Sequence, residues 1–132
     1  MTETDDRRSR PCIVVVDNDH AVLHSLSFAL RSEGFEVITY DNGFAFLAAG
    51  EPTAPACAIL DQDMEGMTGI QIARALRERG STLPLIMVSG AVTPSLKSRA
   101  LAAGFDAVLE KPLFGDELGD AVEAALSGRR QT

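Results

Sequence analysis

Positive charge is scarce in this sequence: Lys and Arg number 12 against 19 Asp and Glu, a net charge of −7. A chain with that balance has no surplus cation to displace counterions, so a general electrostatic footprint on nucleic acid is excluded. Long apolar runs are missing as well. Stretches such as Cys12–Val16 are far too short to span a bilayer. No apolar signal region follows the polar segment Met1–Arg10. Secretion and membrane insertion are therefore not expected, and a cytoplasmic protein is. Cysteine is rare too. Cys12 and Cys57 each open an apolar run and share no metal-ligand spacing, so they read as small buried apolar side chains rather than as a disulfide. Neither a solenoid period nor a low-complexity tract is present.

What is there is one arrangement, repeated. The 132 residues suit a single domain, able to bury roughly two-thirds of the unfolded chain's surface. Five apolar runs, Cys12–Val16, Phe35–Tyr40, Cys57–Leu60, Pro84–Val88 and Ala107–Leu109, begin about 20–30 residues apart. That is the spacing of successive βα units, not of hairpins. Amphipathic stretches lie between them. Val22, Leu23, Leu26, Ala29 and Leu30 form the first apolar stripe, ended by Gly34. Asn42 caps a short second helix holding Phe44, Phe46 and Leu47. Thr68 and Gln71 make a capping box for the third, which stops at Gly80. Thr93-Pro94 starts the fourth and Gly104 closes it. Leu118, Val122, Ala125 and Leu126 line the fifth. The pattern predicts an α/β fold: a three-layer sandwich with a five-stranded parallel sheet flanked by five helices. Residues 11–127 form this domain, between mobile tails at 1–10 and 128–132.

In such sheets ligands bind beyond the carboxyl ends of the strands, where strand order reverses. The residues just after each apolar run are accordingly the informative ones. Asp17-Asn18-Asp19-His20 follow the first, Asp61-Gln62-Asp63-Met64 the third, Ser89-Gly90-Ala91 the fourth and Glu110-Lys111-Pro112 the fifth. Turn formation and helix capping explain any one cluster, and Asp19 is well placed as a cap. They do not explain why acids, a hydroxyl and a lysine converge on one rim. Gathered carboxylates repel, and a hard divalent cation with oxygen ligands relieves that repulsion; Mg²⁺ fits Asp17, Asp61 and a nearby carbonyl. The metal and Lys111 would screen an incoming phosphoryl group, with Ser89 hydrogen-bonding one of its oxygens. The chemistry implied is phosphoryl transfer onto an aspartate, with Asp61 as nucleophile.

These residues resemble the receiver domains of bacterial two-component response regulators. The likeness runs from Cys12 to Leu126 and is strongest to receivers that control helix-turn-helix transcription factors. Its motifs stand in order: the acidic region at Asp17, the acceptor strand Ile59-Leu60-Asp61, the D-x-x-M-x-x-M-x-G run ending at Gly69, the small-residue switch Ser89-Gly90-Ala91, and Lys111-Pro112. The resemblance implies a flavodoxin-like strand order of 2-1-3-4-5. It makes Asp61 the phospho-acceptor, Ser89 the hydroxyl that moves toward the phosphoryl group, and Lys111 its cationic contact. Mg²⁺ is held by Asp17, Asn18, Asp61 and the carbonyl of Asp63. A cis peptide at Lys111-Pro112 aims the ammonium into the site. The implied partners are a histidine kinase or histidine phosphotransfer protein, docked through the first helix and the Leu113-Phe114 loop, and an unidentified downstream protein. A homodimer is compatible with this.

Several positions depart from the family pattern. Asn18 stands where a second metal-binding acid is usual, which lowers metal affinity. Asp63 carries a carboxylate that could face the metal, pair with Lys111 or point to solvent. Val108 replaces a switching aromatic, and Glu65 replaces a loop proline. His20 and His24 lie four apart on one helix face and read as solvent-facing, with His20 near enough to the rim to tune it. Leu113 and Phe114 are equally readable as core. Two other functions compete: a pseudo-receiver that binds partners through a weakened metal site, and a haloacid-dehalogenase-type phosphatase using Asp17-Asn18-Asp19. The phosphatase lacks a downstream acidic pair and a cap domain. The chain is either a stand-alone receiver or a piece of a longer regulator.

Overall fold

Strand ends and helix caps in this chain coincide with the places where its sequence changes period. The computed structural model describes residues 10–53, 55–113 and 116–128. In chain order the elements are β1 (Cys12–Val16), α1 (His20–Ser32), β2 (Glu36–Tyr40), α2 (Gly43–Ala49) and β3 (Ala56–Asp61). They continue with α3 (Gly69–Glu78), β4 (Leu85–Ser89), α4 (Pro94–Ala103), β5 (Ala107–Glu110) and α5 (Glu117–Ser127). All strand pairings are parallel, and the sheet order is β2-β1-β3-β4-β5. The chain therefore reverses direction across the sheet between β1 and β3, which places a crevice at their carboxyl ends.

Side chains alternate across each strand, so the sheet feeds two cores. Val14, Val16, Ala58, Leu60, Leu85 and Met87 face α2, α3 and α4, where they meet Phe46, Ile72, Leu76 and Leu96. Ile13, Val15, Cys57, Ile59, Ile86 and Val88 face the other way, onto Leu23 and Leu30 of α1 and Leu118 and Val122 of α5. Burial on both faces is why these strands read as continuous apolar runs rather than alternating ones.

The caps behave as their residue types demand. Asp19 accepts the amides of Ala21 and Val22 at the start of α1, and Asn42 accepts that of Ala45 at 2.8 Å. Thr68 and Gln71 form a reciprocal capping box on α3. Thr93 caps α4, Pro94 occupies its first turn, and Gly104 ends it in the left-handed conformation at φ +102°. One helix expectation needs correction. In α1 the buried positions are Leu23, Ser27 and Leu30, while Ala29 is exposed. The i, i+4, i+7 row faces the sheet, and Ala29 lies off it. Phe44 of α2 is 61% exposed, and only Phe46 is fully buried there.

Both cysteines are free. Cys57 is buried, and burial pushes its thiol up to about 12, with help from Asp106. Cys12 is only half-buried, because it opens its strand at the rim of the sheet. Of the tails, residues 1–9 and 129–132 lie outside the described residues, whereas Arg10 stands 3.6 Å from Glu36 and Gly128 caps α5. Among the described residues no helix is long and apolar enough to cross a membrane.

Candidate functional site

Sheet register brings the strand-end residues together. Val16 pairs with Leu60, so Asp17 and Asp61 leave β1 and β3 side by side. Asp61 in turn pairs with Val88, one residue before Ser89. Lys111 arrives from the far side: Glu110 pairs with Ser89, and the Lys111 amide donates to the Ser89 carbonyl at 2.8 Å. The Lys111-Pro112 bond is cis. Asp17 and Asp61 are each 3% exposed and Ser89 is 1% exposed, so three polar groups are buried at one edge of an apolar sheet.

The geometry around the two acids is specific. Lys111 Nζ lies 3.1 Å from Asp61 Oδ1 and 3.6 Å from Asp17 Oδ2. The Asp19 amide donates to Asp17 Oδ1 at 2.9 Å, and the Asp63 amide to Asp61 Oδ1 at 3.2 Å. One ammonium therefore serves two buried carboxylates, leaving an excess negative charge. An ion pair alone would lower the acid's pKa. At Asp61 burial, and then the neighbouring Asp17, outweigh the Lys111 bond and the Asp63 amide, and the pKa is raised. Burial works against the Lys111 ammonium, yet the bond to Asp61 and the fields of Asp61, Asp17 and Asp63 prevail and raise its pKa.

Main-chain packing holds the acceptor loop. A Cβ added at Gly69 would stand 3.0 Å from the Asp61 carbonyl oxygen and 3.3 Å from Gln62 Cα, so a larger residue would have to push α3 and the loop apart. Gln62 Oε1 accepts the Ile70 amide at 2.9 Å, tying the loop to the first turn of α3. That second tie carries no sequence signature, since a glutamine after an acidic strand end has many uses.

Among the described residues no group of three or more His, Cys, Asp or Glu side chains is placed to hold a metal ion. Divalent-cation binding would thus rest on two carboxylates, Asp17 and Asp61, completed by neutral oxygens and water. That donor set is all-oxygen and carries one unbalanced negative charge, which suits Mg²⁺. Asn18 is exposed beside it. Of the three orientations expected for Asp63, solvent exposure is the one that occurs, though its carboxylate is not free. It accepts the Gly90 amide at 2.7 Å and lies 3.3 Å from the Ser89 hydroxyl.

The remaining candidates fall outside the pocket. His20 pairs with Asp41 at 3.1 Å on the surface, holding the Asp41 carboxyl below its ordinary value through that hydrogen bond first and then one from Asn42. His24 is exposed. Val108 is half-buried against the core and has no ring to swing. A groove of about 460 Å³ opens beside the acids, between α1 and the segment after β5, lined by Val22, Leu26, Pro112 and Leu113. Leu113 also packs against the core, as its core reading expects, while Phe114 lies outside the described residues.

Comparison with known proteins agrees with this geometry. A family model described as the response regulator receiver domain matches residues 13–123. The transcriptional regulatory protein TdiR of Thauera aromatica is 34% identical over 119 residues, covering 90% of this chain and 52% of that protein. The response regulator protein TodT of Pseudomonas putida is 36% identical over 114 residues, covering 86% and 50%. The chain thus spans about half the length of these curated relatives. The crystal structure of FixJ-N superposes with a TM-score of 0.82 at 26% identity, covering 92% of this chain and 97% of that one.

Proposed function

The chain belongs to the response regulator receiver domain family, and we propose that it works in a phosphorelay by taking a phosphoryl group onto Asp61. A receiver is a signalling module rather than a conventional enzyme. The donor is a phosphohistidine of a histidine kinase or phosphotransfer protein. An Asp61 carboxylate oxygen attacks phosphorus as the N–P bond breaks, leaving an acyl phosphate on the chain and, with the donor ring protonated on its other nitrogen, a neutral imidazole. The observation that carries this reading is the Asp61 carboxylate, 3% exposed yet open to a groove, with Lys111 Nζ at 3.1 Å and Asp17 across the same ammonium.

Each residue has a task in that step. Lys111 meets the negative charge that builds on the transferred group, and Ser89 supplies a hydroxyl for one of its oxygens. Asp17 and Asp61, with the carbonyl of Asp63, the Asn18 amide and water, would hold Mg²⁺, which supplies charge neutralisation and in-line alignment when bound. Residues 11–127 constitute the receiver. The phosphorylated form, carrying about −1.5 to −2 additional charges, rearranges the Ser89 loop and the start of α4 and so changes affinity for a downstream protein or a second copy. Direct nucleic-acid contact is not part of the reading, given the net charge of −7.

The test is incubation with acetyl phosphate and Mg²⁺, reading the mass of the intact chain. One adduct of about 80 Da, lost on EDTA treatment before labelling and absent in Asp61→Asn, is expected. An undiminished adduct in Asp61→Asn would overturn the assignment.

A further inference from the structure

Asp63 stands two residues past Asp61 and touches both sides of the pocket. Its amide donates to Asp61 Oδ1 at 3.2 Å. Its side chain reaches 27 positions along the sequence to take the Gly90 amide on Oδ2 at 2.7 Å. The Ser89 hydroxyl lies 3.3 Å from each of the two carboxylate oxygens, and the same hydroxyl accepts the Ala91 amide at 3.3 Å. A Cβ added at Gly90 would sit 3.5 Å from Asp63 Oδ2, ordinary contact, so the carboxylate is close without crowding the loop.

We propose that the Asp63 carboxylate is an internal competitor of the phosphoryl group, holding the Ser89 hydroxyl and Gly90 amide until it is displaced. This rests on the assignment of Asp61 as acceptor. A hydroxyl and an amide each have one hydrogen to give. While Asp63 has both, neither is available to a phosphoryl oxygen on Asp61, and two anionic oxygens spanning a hydroxyl and an amide are a chemical stand-in for that group. An arriving phosphoryl adds negative charge to a pocket where Lys111 is already shared between Asp17 and Asp61. Asp63 is repelled as its donors are drawn away. The apparent affinity for any phosphoryl-like ligand is then reduced by the fraction of molecules whose loop is held. Asp63 and Gly90 are both exposed, so water softens the hold. The scale is that of one charge-assisted hydrogen bond, about tenfold in affinity. Asp63 is a positioning residue here, acting through Ser89 and Gly90.

The experiment uses the full ¹⁵N-labelled chain and two amide measurements. Without added ions, Asp63→Ala moves the Gly90 amide proton upfield, because its short bond to a carboxylate is gone. With Mg²⁺ fixed, titration with beryllofluoride is followed at Ser89 and Gly90. The midpoint falls about tenfold in Asp63→Ala, and Asp63→Asn, which keeps an acceptor oxygen but no charge, lies between. A Gly90 resonance indifferent to Asp63→Ala overturns the proposal, as do equal midpoints in wild type and Asp63→Ala. Identical midpoints in Asp63→Asn and Asp63→Ala assign the effect to charge alone and overturn it also. If neither protein responds and acetyl phosphate leaves no adduct, the acceptor assignment falls and the competitor with it; equal midpoints in two responding proteins remove the competitor only.

Discussion

Removing Lys111 and neutralising Asp61 should move the stability of this fold in opposite directions. Lys111 Nζ is 3.1 Å from one carboxylate oxygen and 3.6 Å from the other, so those two oxygens are at most about 6.7 Å apart. At an effective dielectric of about 20, their mutual repulsion is then at least about 2.5 kcal/mol, and each attraction to Lys111 about 5 kcal/mol. Lys111→Met deletes both attractions and leaves two buried acids facing each other. The Lys111 side chain is 30% exposed, so solvent offsets part of this, and a net loss of about 3 kcal/mol is expected at pH 7. For a chain of this size that lowers Tm by about 10 °C. Asp61→Asn removes one attraction, the repulsion and the desolvation of a charged group. Because the Asp61 pKa is raised by burial and by Asp17, the charged form is the disfavoured one, and Asp61→Asn stabilises the fold. The pH dependence follows in sign. The fold holds the Asp61 proton more tightly than the unfolded chain does. Its contribution is therefore full below the ordinary carboxylate value and is lost as pH climbs through the raised one. Asp61→Asn removes that decline. The assay is urea unfolding in EDTA from pH 3 to 7, with unchanged m-values confirming that midpoints report stability. A destabilised Asp61→Asn, or a Lys111→Met as stable as wild type, would refute the charge balance drawn here.

Two further outcomes follow from the same pocket. Mg²⁺ at about ten times its dissociation constant should stabilise the wild-type chain by about 1.4 kcal/mol in a thermal shift, and Asp17→Asn should abolish the response. Gly69→Ala places a methyl group 3.0 Å from the Asp61 carbonyl oxygen, so the acceptor-loop backbone must shift by a few tenths of an ångström to take it. A loss of about 1–3 kcal/mol in urea titration, together with slower labelling by acetyl phosphate, is expected. Wild-type values in both measurements would show that the acceptor loop is not held by that approach.

How much of this was legible in the sequence depended on whether a feature is local or lies between loops. Caps are local, so Asp19, Asn42, Thr68 with Gln71, and Thr93 with Pro94 could each be read from neighbouring residues. Strand ends are nearly as legible: once five parallel strands are counted, Asp17, Asp61, Ser89 and Lys111 must share the carboxyl edge. The burial of Ser27 rather than Ala29 was not legible, because Ser27 is polar and a stripe drawn through the apolar residues alone passes over it. Nor was the partner of Asp63. That contact joins the loops after β3 and β4, and its 2.7 Å separation from the Gly90 amide follows from the path of both backbones rather than from either sequence. The groove beside α1 is similar: Val22, Leu26 and Leu113 are ordinary apolar residues until the crossing of α1 over the sheet opens a gap next to the acids.

The central claim is that one aspartate of this chain carries the phosphoryl group. Borohydride reduction of the acetyl-phosphate-treated protein converts an acyl-phosphorylated aspartate to homoserine, which tandem mass spectrometry locates in a tryptic digest. Homoserine at position 61 and at no other aspartate is predicted; homoserine at position 17, 19 or 63 in its place would contradict the account.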